Sequence, residues 1–184
     1  MSSRLTLSDQ EALVLIARQA IAARVAGQSP PRSATLTMPL ASGVFVTLKI
    51  GRHLRGCLGT LESRHDLAID VARCAGDAAS RDPRFPPVSV KELDELSVEI
   101  SVLGPFEPCA PPVPASITVG LHGLLVEHGR RRGLLLPQVA VEWNWTSETF
   151  LEQTCLKAGL AAGAWRRDAA VYRFTAQVFG DAAR

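Results

Sequence analysis

Val44-Phe45-Val46-Thr47-Leu48-Lys49-Ile50 is followed by Gly51-Arg52 and then by Leu54-Arg55-Gly56-Cys57-Leu58-Gly59-Thr60. The first stretch alternates and is rich in β-branched residues. It predicts a strand with Val44, Val46, Leu48 and Ile50 on one face. Gly51-Arg52 is a turn signal. A chain that returns extended places Leu54 and Leu58 on one side, Arg55 and Cys57 on the other.

Working outward, Leu96, Val98, Ile100 and Val102 define a further half-buried strand with Ser97, Glu99 and Ser101 opposite. Two strands flank a hairpin tip at Gly129-Arg130-Arg131-Arg132-Gly133, and Val171 to Phe179 form a last one. Helical signals interleave with these. Ser8-Asp9-Gln10-Glu11 has capping-box spacing ahead of Leu13, Ile16, Ala17, Ala20 and Ile21, with Gly27 as a stop and Ser29-Pro30-Pro31 as a break. A second helix is expected from Asp66 to Ser80, ended by Asp82-Pro83. Pro137 opens a third, with Gln138, Val141, Glu142 and Trp145. A fourth starts at Thr146 or Ser147, buries Phe150, Leu151, Thr154 and Cys155, and stops at Gly159. Strands and helices intermix without a regular βαβ repeat, which favours α+β over a doubly wound sheet.

The chain has 184 residues, enough for one domain or two small lobes and too few for two full-sized domains. Gly104 to Ser116 holds Pro105, Pro108, Pro111, Pro112 and Pro114, a stiff connector and the expected boundary between lobes. Hydrophobic residues make up 47% and charged residues 21%, which excludes a mostly disordered chain. A net charge of +2 supplies no field toward nucleic acid or anionic lipid. No apolar run approaches the roughly 18 residues of a membrane helix, and Met1 to Asp9 lack a secretory stretch, so the expectation is cytoplasmic. Four scattered cysteines without a C-x-x-C pair read as free thiols in a reducing compartment.

The most pointed chemistry lies at Cys57. Gly56 before it and Gly59 after it remove bulk and let a ligand or another backbone come close. An ordinary thiol is only about 3% ionised at neutral pH. Thiolate chemistry therefore needs a cation or donors nearby, and Arg55 is the first candidate. The opposing reading makes Cys57 a small buried hydrophobe beside a bulge. Cys74 and Cys155 fall on apolar helix faces, and Cys109 lies in the connector. His53 with Cys57, and His122 with His128, do not complete a zinc-type ligand set, so no metal is expected. Gln138 and Glu142 share a helical face and can present an amide and a carboxylate to a cleft. Burial would fit that carboxylate for general-base work. Glu99, on a polar strand face, carries the same ambiguity.

Arg81-Asp82-Pro83-Arg84-Phe85-Pro86-Pro87 is a rigid loop whose Arg84 can hold an anion, or which simply anchors Phe85. The arginine tip at 130–132 is solvated by default, and aromatics are sparse, which speaks against nucleic acid. There is no Walker or Rossmann glycine loop and no G-x-S-x-G elbow.

Leu54 to Thr60 resembles the L-R-G-C-I-G signature of the AMMECR-type domain, with Leu58 in the isoleucine position. Asp82 to Pro87, Leu96 to Leu103, Gly120 to Leu124, Leu135 to Ala140 with Glu142 and Trp145, and Phe150 to Leu160 follow in that family's order. Gly180 stands where an acidic residue is expected after the last strand. The resemblance implies a compact α+β fold in two lobes, with mixed or antiparallel sheets flanked by helices and a cleft bearing the signature. It also implies Memo-like and radical-SAM partners within the AmmeMemoRadiSam system; independently of it, no cofactor is expected. Two functional expectations follow. One is an enzyme or enzyme component centred on Cys57, with Arg55 stabilising charge and His122 or Glu142 moving a proton. The other is a non-catalytic binding or adaptor module, in which Arg55, Arg84, Gln138 and the backbone at Gly56 and Gly59 hold a small anion, a peptide or a partner protein.

Overall fold

The computed structural model describes residues 4–29, 41–63, 65–109 and 114–181. Pro30-Pro31 and Pro111-Pro112 lie outside them. Among the described residues four α-helices, α1 (Leu7–Val25), α2 (Leu67–Ser80), α3 (Pro137–Glu142) and α4 (Ser147–Lys157), accompany seven strands. The strands are β1 (Gly43–Ile50), β2 (His53–Thr60), β3 (Leu96–Leu103), β4 (Glu107–Pro108), β5 (His122–His128), β6 (Arg131–Leu135) and β7 (Ala170–Gly180). The fold is α+β. The chain divides into two compact units, Met1–Leu103 with Gln177–Arg184, and Gly104–Ala176. Among the described residues no helix is long and apolar enough to cross a membrane.

In the first unit β1 is central, antiparallel to β2 on one side and β3 on the other. Val44, Val46 and Leu48 of β1 and Val98, Ile100 and Val102 of β3 pack with Leu13, Ala17 and Ile21 of α1 and with the apolar face of α2 in one buried cluster. The cap of α1 differs from the sequence expectation. Thr6, not Ser8, is the N-cap, and Asp9 closes the box by accepting the Thr6 N–H at 2.8 Å. Thr6-x-x-Asp9 has the same spacing as Ser8-x-x-Glu11, and burial of Leu5 just before it sets the entry point. Asp66 caps α2 through the Ala68 N–H.

The last strand carries its acidic residue one position later than expected. Asp181 accepts from Val98 N at 2.7 Å and pairs with Arg18 of α1, which also donates to the Leu96 carbonyl at 2.7 Å. A Cβ at position 180 would collide with the Val98 carbonyl, so glycine fits there and the carboxylate sits at 181.

The second unit is built on the β5–β6 hairpin, turned at Gly129 with φ +60°, with residues 170–176 of β7 antiparallel to β5 and β4 on their other side. Leu124, Val126 and Val171 are buried with Phe150, Leu151 and Cys155 of α4 and with Trp165. Pro137 opens α3, and Asn144, at φ +52°, turns the chain out of it.

The β2–α2 contact rests on Gly56, where a Cβ would run into the Ala78 backbone carbonyl. We expect Gly56→Ala to destabilise the protein by about 2 kcal/mol or more, lowering Tm by roughly 4–8 °C. Gly76→Ala in the same helix meets only the movable Arg24 side chain and should leave Tm unchanged or raise it. Paired thermal melts check both signs.

Candidate functional site

The β1–β2 ladder contains a bulge. Leu48 opposes Gly56 and Lys49 opposes Leu54, which leaves Arg55 without a cross-strand partner. The bulge breaks the simple alternation expected for β2: Leu54 is 39% exposed, whereas Leu58 packs on the core. Beyond the bulge, Cys57 faces Thr47. The Cys57 N–H donates to Asp82 Oδ2 at 2.8 Å, and its carbonyl accepts from Arg84 Nη2 at 3.3 Å. Both backbone groups thus point away from β1, so Cys57 and Thr47 form the narrow, non-hydrogen-bonded type of antiparallel pair, in which side chains approach most closely. Thr47 Oγ1 donates to Cys57 Sγ at 3.3 Å. Thr47 in turn faces Glu99 on β3, whose carboxylate lies 3.2 Å from Lys49 Nζ. Thiol, hydroxyl and carboxylate therefore share one cross-strand row on the face of the sheet turned away from α1 and α2. The thiol itself is half-buried.

β2 is the outermost strand of the first unit's sheet. Its outer edge is covered by the segment that follows α2. Asp82, only 4% exposed, takes Arg84 Nε at 2.9 Å and Nη2 at 2.7 Å besides the Cys57 amide. The Arg84 guanidinium foremost, then the Cys57 and Arg84 amides, hold the Asp82 carboxyl well below the usual carboxylate range against the opposing effect of burial. Arg55 reaches the same segment further along. It pairs with Glu92 at 2.6 Å and donates to the carbonyls of Pro86 and Pro87 at 2.9 and 3.3 Å. Glu92 is pulled down to about 2, chiefly by Arg55 and then by the Ser89 amide and hydroxyl. Arg55 thus ties down the loop, and Arg84 is the arginine that touches the Cys57 residue.

The glycines beside the thiol have protein in the space they leave. The Ala78 carbonyl abuts Gly56, and the Phe45 ring lies against Gly59. A cleft of about 370 Å³ opens on the first unit and is bordered by Lys49, Ser97, Glu99, Val178, Gly180 and Asp181. It begins at the Glu99 end of the thiol row.

His122, Gln138 and Glu142 belong to the second unit. His122 Nδ1 accepts the Thr118 N–H at 2.9 Å, while burial first and Arg173 second lower its pKa. It is therefore a neutral imidazole at pH 7, with its proton on Nε2. Glu142 is exposed, so burial does not fit it for general-base work. Gln138 is half-buried, and its Oε1 is enclosed without a hydrogen-bond partner among the described residues. Cys74 and Cys155 are buried; desolvation raises both thiols, Cys74 to about 11. No group of three or more metal-ligating side chains occurs among the described residues.

Sequence reasoning missed Thr47 and the Asp82 clamp. Thr47 was visible as an outward residue of the first strand, but its partner depends on strand register. Asp82 entered as a helix stop, as part of the rigid loop and in the family segment, but not as a partner of Cys57.

The AMMECR1 family model matches residues 14–179. A protein from Methanothermobacter thermautotrophicus is 45% identical over 183 residues, covering 95% of each chain. One from Thermococcus gammatolerans is 48% identical over 92% of this chain and 88% of its own. The crystal structure of an uncharacterised protein from Pyrococcus horikoshii superposes with a TM-score of 0.87 at 42% identity, covering 95% of this chain and 92% of that one. A match that runs from α1 through β7, and takes in the thiol row together with the clamp over it, places this chain in the AMMECR1 family.

Proposed function

We propose that the protein is a thiol-dependent enzyme or enzyme component in which Cys57 Sγ attacks an electrophilic carbon. The observation that carries this reading is the Thr47 hydroxyl donating to a half-buried sulfur whose backbone is held on both sides. A hydrogen bond donated to sulfur supports negative charge that develops on it during reaction. In the proposed step Sγ forms a bond to carbon, the leaving group departs with its bonding pair, and the thiol proton passes to water. The cytoplasm is the compartment that suits a free thiol of this kind.

A second reading is favoured by the second unit. Leu121, Val141 and Trp143 are 53%, 57% and 69% exposed. Val141 lies against the turn at Gly120, and Trp143 stacks on Trp145 at 6.2 Å. Exposed aromatic and aliphatic groups held this firmly suit a partner surface. Memo-like and radical-SAM proteins are the partner classes that the family resemblance brings forward, and both readings hold together if the protein is one component of an assembly.

Two experiments test these readings. With iodoacetamide at neutral pH on the native protein, mass spectrometry of peptides should show Cys57 alkylated while Cys74 and Cys155 stay intact. Thr47→Val keeps the β-branched shape and should slow Cys57 about fivefold, as expected for about 1 kcal/mol of hydrogen bonding. Labelling of Cys57 only on unfolding removes the thiol reading. For the surface, Trp143→Ala should weaken binding of a Memo-like partner at least tenfold by calorimetry, whereas Cys57→Ser should leave it intact. Equal affinities for wild type and Trp143→Ala remove the partner reading.

A further inference from the structure

Arg55 and Arg84 differ in what their guanidinium groups still have to offer. Each carries five N–H donors. Arg55 directs Nε and Nη2 at Glu92, Nη1 at the Pro86 carbonyl and Nη2 also at the Pro87 carbonyl, and its side chain is 13% exposed. Arg84 spends Nε and Nη2 on Asp82 and Nη2 also on the Cys57 carbonyl. Among the described residues no acceptor takes its Nη1 protons, and its side chain is 51% exposed. The Phe85 ring lies 5.5 Å from the guanidinium carbon, so three hydrogen bonds and a ring hold this group in place before any ligand arrives. It is a preorganised donor with its free edge turned outward, joined to the thiol residue by a hydrogen bond. The hydrogen-bonded Asp82 carboxylate raises the Arg84 pKa against burial, so the guanidinium stays charged.

We propose that the Nη1 protons of Arg84 bind an oxyanion of the molecule on which Cys57 acts, so that the substrate carries a carboxylate or phosphate close to its electrophilic carbon. This assignment rests on the thiol reading of Cys57. Because Asp82 already balances the Arg84 charge, the anion is recognised by directed hydrogen bonds rather than by net charge. The Asp82 pair also fixes the plane of the guanidinium, which gives the site geometric selectivity. Arg55 has one N–H donor left and little exposure, so it takes no part in this recognition.

Charge-matched alkylating agents test the proposal on the full chain. Iodoacetate carries a carboxylate next to its reactive carbon; iodoacetamide is its neutral counterpart. With either, sulfur bonds to carbon, iodide leaves with the bonding pair, and the thiol proton goes to buffer. The iodoacetate-to-iodoacetamide rate ratio at Cys57 should exceed that of free N-acetylcysteine by about tenfold, the effect of one charge-assisted hydrogen bond. Arg84→Gln should bring the ratio down to that of the free thiol. Loss of Arg84 also loosens Asp82, so the wild-type protein supplies an independent measurement. At constant ionic strength, inorganic phosphate or acetate should slow the iodoacetate reaction at Cys57, and the stronger protectant identifies the oxyanion. A wild-type ratio equal to that of N-acetylcysteine, with no protection by either anion, overturns the proposal. Inertness of Cys57 to both reagents overturns the thiol reading instead, and this assignment falls with it.

Discussion

The outer edge of β2 imposes the constraint from which the site follows. An edge strand leaves every second residue with its N–H and C=O directed away from the sheet, and these groups need partners. At Cys57 the partners are two side chains, the Asp82 carboxylate for the amide and the Arg84 guanidinium for the carbonyl. They stand where a further strand would stand. Because the outward groups belong to Cys57, its side chain falls in the narrow pairing with Thr47, and Gly56 before it turns toward α2. One edge residue satisfied from outside thus sets the direction of the sulfur, its hydroxyl partner and the seat of the helix behind it.

Charge pairing makes that arrangement stable enough to rely on. Asp82 is almost wholly buried, and an isolated carboxylate there would be strongly disfavoured. Arg84 neutralises it with two hydrogen bonds in the planar geometry that guanidinium and carboxylate share. The Arg55–Glu92 pair repeats the device at the far end of the loop, and Glu92 is also held by Ser89. Pro83 within the first pair, and Pro86 and Pro87 between the two, lower the entropy lost when the segment is ordered, while Val88 is buried in the core.

Much of the scaffold was legible because it depends on short-range patterns. Alternation in Val44 to Ile50 and Leu96 to Val102, the proline at 137, and the glycine stop at 159 all report local preferences, and the elements lie where those preferences put them. The cap of α1 was misplaced because two overlapping boxes satisfy the same spacing, and only the burial of Leu5 separates them. The site was less legible. Cys57 stood out by its glycine neighbours, yet Arg55 looked like its natural cation because the two are close in sequence. A bulge at Arg55 and a carboxylate 37 residues away send that side chain elsewhere. Thr47 and Glu99 join the thiol only through strand register, which is a property of pairings across 10 and 52 residues rather than of any local pattern.

The same register separates the four thiols by chemistry rather than by sequence context. Cys74 faces inward from α2 and Cys155 inward from α4, where desolvation disfavours the charged sulfur. Cys109 packs against the second unit's core and uses its amide on Val171. Cys57 alone among these is placed on a polar sheet face with a hydroxyl donating to its sulfur. A purely structural role would be served there by valine or threonine, which suit a strand better and leave no oxidisable atom. On the reading proposed above, the oxidisable atom is there to react, and the Arg84 guanidinium on the Cys57 carbonyl is the donor that meets an anionic molecule.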